Sequence, residues 1–219
     1  MFLQSDYNDL MPPEPEHGGG EKTGLSRFLE IMGDQCLPLF KANLLFLLGC
    51  LPAVTIPLSL FALNRAVRRM VQGRQLKCLA VCRETVRRDW KRAYLAFLLT
   101  AAPLCCAGYG MWFYFGYAAS NPLFLLPFLV CSTIFLTALL ASLPLYGLLE
   151  SGRGVKESLR LALLLGVAKP RRSVPAALCC FGLPLLAVLF FPLSGLYLFV
   201  IGFSLPCLIG NFLLRTLLP

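Results

Sequence analysis

The chain has 219 residues, 58% of them hydrophobic and 14% charged, with a mean hydropathy of +0.72. A soluble domain carries about a quarter charged residues, so the composition excludes an ordinary soluble globule and points to helices apolar all round, without the alternation of barrel strands. The formal net charge is +9, but sixteen of the 20 Lys and Arg sit in two loops between apolar stretches; that placement marks orientation and anionic lipid headgroups as contacts, and excludes nucleic acid as a partner.

Residues 1–24 contain "MPPEPEHGGGEKTG", too poor in apolar residues to fold, and read as a disordered polar tail. They hold no basic segment followed by a short apolar core, so no cleavable signal peptide is expected. Residues 25–219 read as a single helical membrane domain. Leu25, Phe28, Leu29 and Met32 share one helical face, which predicts a short amphipathic helix over 25–35. Five spans follow, at about 38–64, 93–118, 122–149, 174–192 and 194–214. The turns at 119–123 and 191–195 are short, uncharged and contain proline, so spans two and three, and four and five, pair as hairpins. Trp90, Tyr94, Tyr114 and Tyr117 flank the second span, as amphipathic rings do at the two interfaces.

Residues 64–92 hold ten Lys or Arg against Glu84 and Asp89, and residues 150–173 hold six against Glu150 and Glu157. The positive-inside rule places both loops in the cytoplasm. Five crossings then put the N-terminus outside, in keeping with seven acids and two bases in residues 1–37; a re-entrant first span would instead leave the tail cytoplasmic. Within the first loop, 73–90 reads as an interfacial helix. Leu76, Leu79, Cys82, Val86 and Trp90 form its apolar face, with Arg74, Lys77, Glu84, Arg88 and Lys91 opposite. Arg83 and Arg87 intrude on the apolar side, where they snorkel or meet a partner or lipid phosphate. Arg83, Arg87, Arg88, Lys91, Arg92, Arg171 and Arg172 are the candidate lipid or partner contacts. The second loop carries a helix running to Gly166.

Two prolines, Pro52 and Pro57, interrupt the first span. Proline removes a donor and clashes with the preceding turn, so they mark either a broken helix lining a pathway or a kink needed for packing. Every other expected span carries a proline too, which favours packing. Asn43 is the strongest polar candidate inside a span, for an interhelical hydrogen bond or for solute contact. Thr55 is placed to bond a carbonyl freed by the prolines. The expected spans contain no Asp or His and no Glu before Glu150, and their serines have no histidine, so no enzyme chemistry, metal or cofactor is expected. Ten cysteines, including Cys105-Cys106 and Cys179-Cys180, form no CxxC and read as packing residues.

The stretch "LFKANLLFLLGCLPAVTIPLSLFALNRAVRRMVQGR" (39–74) resembles the opening of the YesL family of bacterial membrane proteins, also called domain of unknown function 624. The matching residues are Asn43, Leu51, Pro52, Val54, Thr55, Ala62 and Leu63; Ile56-Pro57 keeps the family's proline and loses its glycine. "RRDWKRAYLAF" and "LYGLLESGRGVKESLRLAL" are similar too, and the resemblance covers roughly residues 25–214. It implies an all-α bundle of five or six spans in the bacterial plasma membrane and an accessory role in carbohydrate transport.

Two functional expectations follow. The first is a non-catalytic accessory or regulatory protein that docks a membrane transporter or sensor through its basic loops. The second is a small facilitator, transporter or channel for a neutral solute, with Asn43, Pro52, Thr55 and Pro57 at its pathway.

Overall fold

The computed structural model describes residues 28, 32–33, 35–73, 78–118, 121–150 and 154–215. The tail at 1–24, most of the helix expected over 25–35, and Arg74, Leu76 and Lys77 lie outside the described residues. The described chain is all helix and short turn. Its order is α1 (Cys36–Cys50), a 3-10 turn (Ala53–Thr55), α2 (Ile56–Val71), α3 (Cys78–Arg88), α4 (Trp90–Ala118), a second 3-10 turn (Pro122–Phe124), α5 (Leu125–Glu150), α6 (Val155–Ala168), α7 (Pro170–Ala177), α8 (Leu183–Leu189), α9 (Gly195–Val200) and α10 (Ser204–Leu214). A π-turn at Leu178–Gly182 joins α7 to α8.

Three stretches, Trp90–Tyr117, Pro122–Glu150 and Pro170–Leu189, are long and apolar enough to cross a membrane. α4 has 29 residues and α5 has 26, about 43 and 39 Å at the helical rise, against a hydrocarbon core of about 30 Å. They pair as the expected hairpin. Its distal half is clad in exposed aromatic and aliphatic side chains such as Trp112, Phe115, Leu126 and Leu129. The proximal half of α5, Leu140 to Leu149, is buried by the rest of the chain.

The other two of the five expected spans are broken. The segment expected as one span over 38–64 is two helices folded back on each other. Leu39, Ala42 and Phe46 of α1 share a core with Leu63, Val67, Met70 and Val71 of α2 and with Cys207 and Leu208 of α10. The fold-back follows from the two prolines. Pro52 is extended (φ −82°, ψ 123°), which ends α1, and Pro57 takes the second position of α2, where its missing N–H costs nothing. A Cβ at Gly49 would collide with the Ser59 hydroxyl, so glycine there lets the two arms close at the bend. At the far end of α2, Gly73 takes a left-handed conformation (φ +76°) that turns the chain out of the helix.

The tip of this hairpin is held low on α4. The Tyr94 hydroxyl donates to the Val54 carbonyl at 2.6 Å, and Tyr94 lies four residues, about 6 Å, from the start of α4. The hairpin therefore returns to the side it left. The Cys78 thiol at the start of α3 meets the Pro38 carbonyl at 3.5 Å, and Arg65 and Arg69 of α2 reach Glu84 of α3. The beginning of α1 thus lies on the basic side of the molecule. The segment expected as one continuous first span is thus two helices.

The segment expected as a span over 194–214 is interrupted at residues 201–203, between the six-residue α9 and the eleven-residue α10. The second basic loop is also more than a loop. α6 lies back along α5, and a Cβ at Gly166 would stand 3.2 Å from the Leu140 and Ala141 backbone.

Charge is confined to the bases of these hairpins. Residues 42–64, 93–149 and 173–214 contain no Asp, Glu, Lys or Arg. Their turns carry exposed apolar residues: Leu51 is 80% exposed, Leu123 80% and Leu193 91%. With protease sites at the N-terminus and after Gly73, both should be cut from the same side of sealed vesicles. Cutting from opposite sides would restore a crossing first span.

Candidate functional site

The base of the bundle is built around Arg65, whose side chain is 10% exposed. Its Nη1 donates to Asp89 Oδ2 at 2.7 Å and its Nη2 to Glu84 Oε1 at 2.9 Å. Its Nε lies 3.4 Å from Glu150 Oε1. Arg69 also donates to Glu84, at 3.1 Å. Arg68 donates to the Gly147 carbonyl and lies 3.7 Å from Glu150. Glu150 ends α5, at the negative end of that helix dipole, so it needs these cations. Arg92, expected as a free contact, lies 3.7 Å from Asp89 and belongs to this network.

α3 packs on the network through one face. Val81 and Thr85 are buried, and Cys78, Cys82, Glu84 and Asp89 are partly buried. Of the apolar face expected to lie on the membrane, Leu79, Val86 and Trp90 are exposed beside Arg83, Arg87, Arg88 and Lys91, and Cys82 is partly buried. Ion pairs with α2 fix the rotation of the helix. The Lys91 ammonium sits 5.5 Å from the Trp90 ring centre, within cation–π range. Arg171 and Arg172 are exposed at the start of α7. The helix that carries them packs against α5, α6 and α10.

Asn43 is fully buried and fully used. Its Nδ2 donates to the Leu198 and Phe199 carbonyls at 3.0 and 2.7 Å. Its Oδ1 accepts from the Phe203 and Ser204 amides at 3.1 and 3.2 Å. An asparagine side chain has two donor hydrogens and two acceptor lone pairs, so nothing remains for a solute. Thr55 donates to the Gly49 and Pro52 carbonyls, closing the hairpin turn. Pro52 and Pro57 bound that turn. All four residues serve the two chain reversals.

Two cavities adjoin these elements. One of about 360 Å³ lies between the α1–α2 hairpin and α3, walled by Ala42, Ala62, Ala66, Cys78 and Cys82 among others. The second, about 310 Å³, lies at the bundle centre, where Asn64, Thr100, Ser142 and Tyr146 meet apolar neighbours. Sequence reasoning missed Asn64. Its Oδ1 accepts from Asn211 Nδ2 at 3.0 Å, and two asparagines 147 positions apart carry no local signal of their pairing.

Burial pushes the Cys82 thiol up to about 11, and the neighbouring Cys78 adds to the rise; burial raises Cys78 as well. Among the described residues no cluster of three His, Cys, Asp or Glu side chains is placed to hold a metal. No family model, curated protein or solved structure matches the chain.

Three outcomes are expected. Asn43→Ala leaves buried backbone groups unpaired and should lower stability in mild detergent by about 2–4 kcal/mol, at 1–3 kcal/mol per orphaned group with partial relaxation; thermal unfolding reads it. Arg65→Ala removes the cation that three carboxylates share, each keeping one other arginine, and should cost up to about 3–5 kcal/mol, whereas exposed Arg83→Ala should change the melting point little. Because the thiolate is the nucleophile, alkylation of Cys82 should rise about tenfold per pH unit from pH 8 and level off only near 11; a plateau by pH 9, in peptide mass mapping, would contradict its burial.

Proposed function

We propose that this chain is a non-catalytic accessory protein of a bacterial plasma membrane that docks a transporter or sensor subunit through the exposed face of α3. The bases of the hairpins then face the cytoplasm, in keeping with the positive-inside rule. The observation that carries the reading is the division of the basic residues into two sets. Arg65, Arg68, Arg69 and Arg92 are engaged with Glu84, Asp89 and Glu150. Arg83, Arg87 and Arg88 are exposed beside Leu79 and Val86. A surface that alternates cations with large apolar side chains fits a partner with acidic and apolar groups, or the anionic headgroup layer. The link to carbohydrate transport comes from the YesL-like stretch at 39–74.

The intramembrane polar groups support the same reading. Asn43 and Thr55 close turns, and Thr100, Ser132, Thr137 and Ser142 donate to carbonyls of their own helices. A facilitator for a neutral solute is the second reading. The central cavity favours it, because Asn64 and Tyr146 converge there from different helices.

Charge reversal at Arg83, Arg87 and Arg88 should release co-purifying membrane subunits from native membranes while leaving the melting point within a few degrees. Subunits retained by the reversed protein would count against docking through α3. Solute flux in liposomes holding only this protein, lost on Asn64→Leu, would establish the second reading in its place.

A further inference from the structure

We propose that the slot between the α1–α2 hairpin and α3 holds one acyl chain of an anionic diacyl phospholipid of the surrounding membrane, with Lys41 at the mouth meeting the headgroup phosphate. This does not rest on the docking reading. It uses the Cys78–Cys82 side of α3, which borders the docking face at Leu79 and Val86.

The slot is shaped by small residues. Ala42 on α1 and Ala62 and Ala66 on α2 line it where larger side chains would fill it, leaving about 360 Å³. Its wall is almost wholly apolar, with only the Thr55 and Ser59 hydroxyls and the two thiols as polar groups. Thr55 spends its proton on the hairpin turn. A cavity this dry suits hydrocarbon better than a hydrogen-bonding solute.

The slot also has an opening of the right chemistry. A groove lined by Pro38, Lys41, Leu44, Leu45, Leu48 and Leu79 continues from it, the two sharing Leu45, Leu48 and Cys78. Lys41 is exposed there, and among the described residues no carboxylate forms an ion pair with it; Glu84, Asp89 and Glu150 are engaged by the α2 arginines and Arg92. Leu48, Leu51 and Val54 carry the rim of the slot onto exposed apolar surface at the hairpin tip. A lipid beside that tip can thus turn one chain inward while its phosphate stays at Lys41. A long amine-bearing side chain at the edge of an apolar slot reaches the headgroup level by snorkelling.

The test uses the full chain in nanodiscs and in detergent, followed by native mass spectrometry. The probes are palmitoyl-oleoyl phosphatidylglycerol, the phosphatidylcholine with the same chains, and free palmitate. Phosphatidylglycerol should be retained about fivefold better than phosphatidylcholine, the factor expected for one cation acting near a membrane surface. Lys41→Glu should abolish that preference. Ala62→Phe should remove both lipids, and phosphatidylglycerol should slow alkylation of Cys82 in the unaltered chain. Equal retention of the two lipids, or a preference that survives Lys41→Glu, overturns the proposal. So does better retention of free palmitate, which would make the slot a fatty-acid site. If Ala62→Phe does not fold, protection of Cys82 by phosphatidylglycerol decides: protection supports the site and its absence overturns it.

Discussion

One guanidinium holds the base of this protein together. Arg65 faces carboxylates from α3, from the α3–α4 junction and from the end of α5, at 2.9, 2.7 and 3.4 Å. Charges this sheltered cost desolvation energy, and they persist only where the geometry returns it. The arrangement therefore fixes where α2 lies against α5 and how α3 is rotated. On α3 it turns Glu84 toward the bundle and leaves Leu79 and Val86 on the surface, where an interfacial helix meets the membrane.

A second constraint acts at the far ends of the hairpins. Backbone groups away from water need partners, and this chain leaves its helical ladder at 51–55 and 201–203. The first break is closed locally by Thr55 and from α4 by Tyr94. The second is closed by Asn43 of α1, from the other end of the chain. Neither break is an opening. Each is a reversal or an interruption with its polar groups accounted for.

These two networks leave the rest of the surface with distinct chemistries. The membrane-facing tips are apolar and uncharged. The outer side of α3 mixes cations with exposed aliphatic residues. The inner side of α3 closes over a dry slot with one lysine at its mouth. Arg171 and Arg172 are exposed at the start of α7.

The amino-acid sequence by itself determined the helical membrane class, the α4–α5 hairpin, the concentration of charge at the hairpin bases and the importance of Asn43. All of these follow from local hydropathy, turn residues and the scarcity of polar groups in apolar runs. It also marked the site of the first reversal, through Pro52 and Pro57, but not its angle: a kinked crossing helix and a fold-back have the same composition. Tertiary structure alone decided that 36–71 returns to its starting side and that α3 buries Val81 and Thr85. It alone decided too that Asn43 spends all its bonds on Leu198, Phe199, Phe203 and Ser204. The physical reason is distance along the chain. Those partners lie 155 to 161 positions from Asn43, and the acids of Arg65 lie on three other elements. A pattern that repeats every few residues carries no record of pairings made across the whole chain.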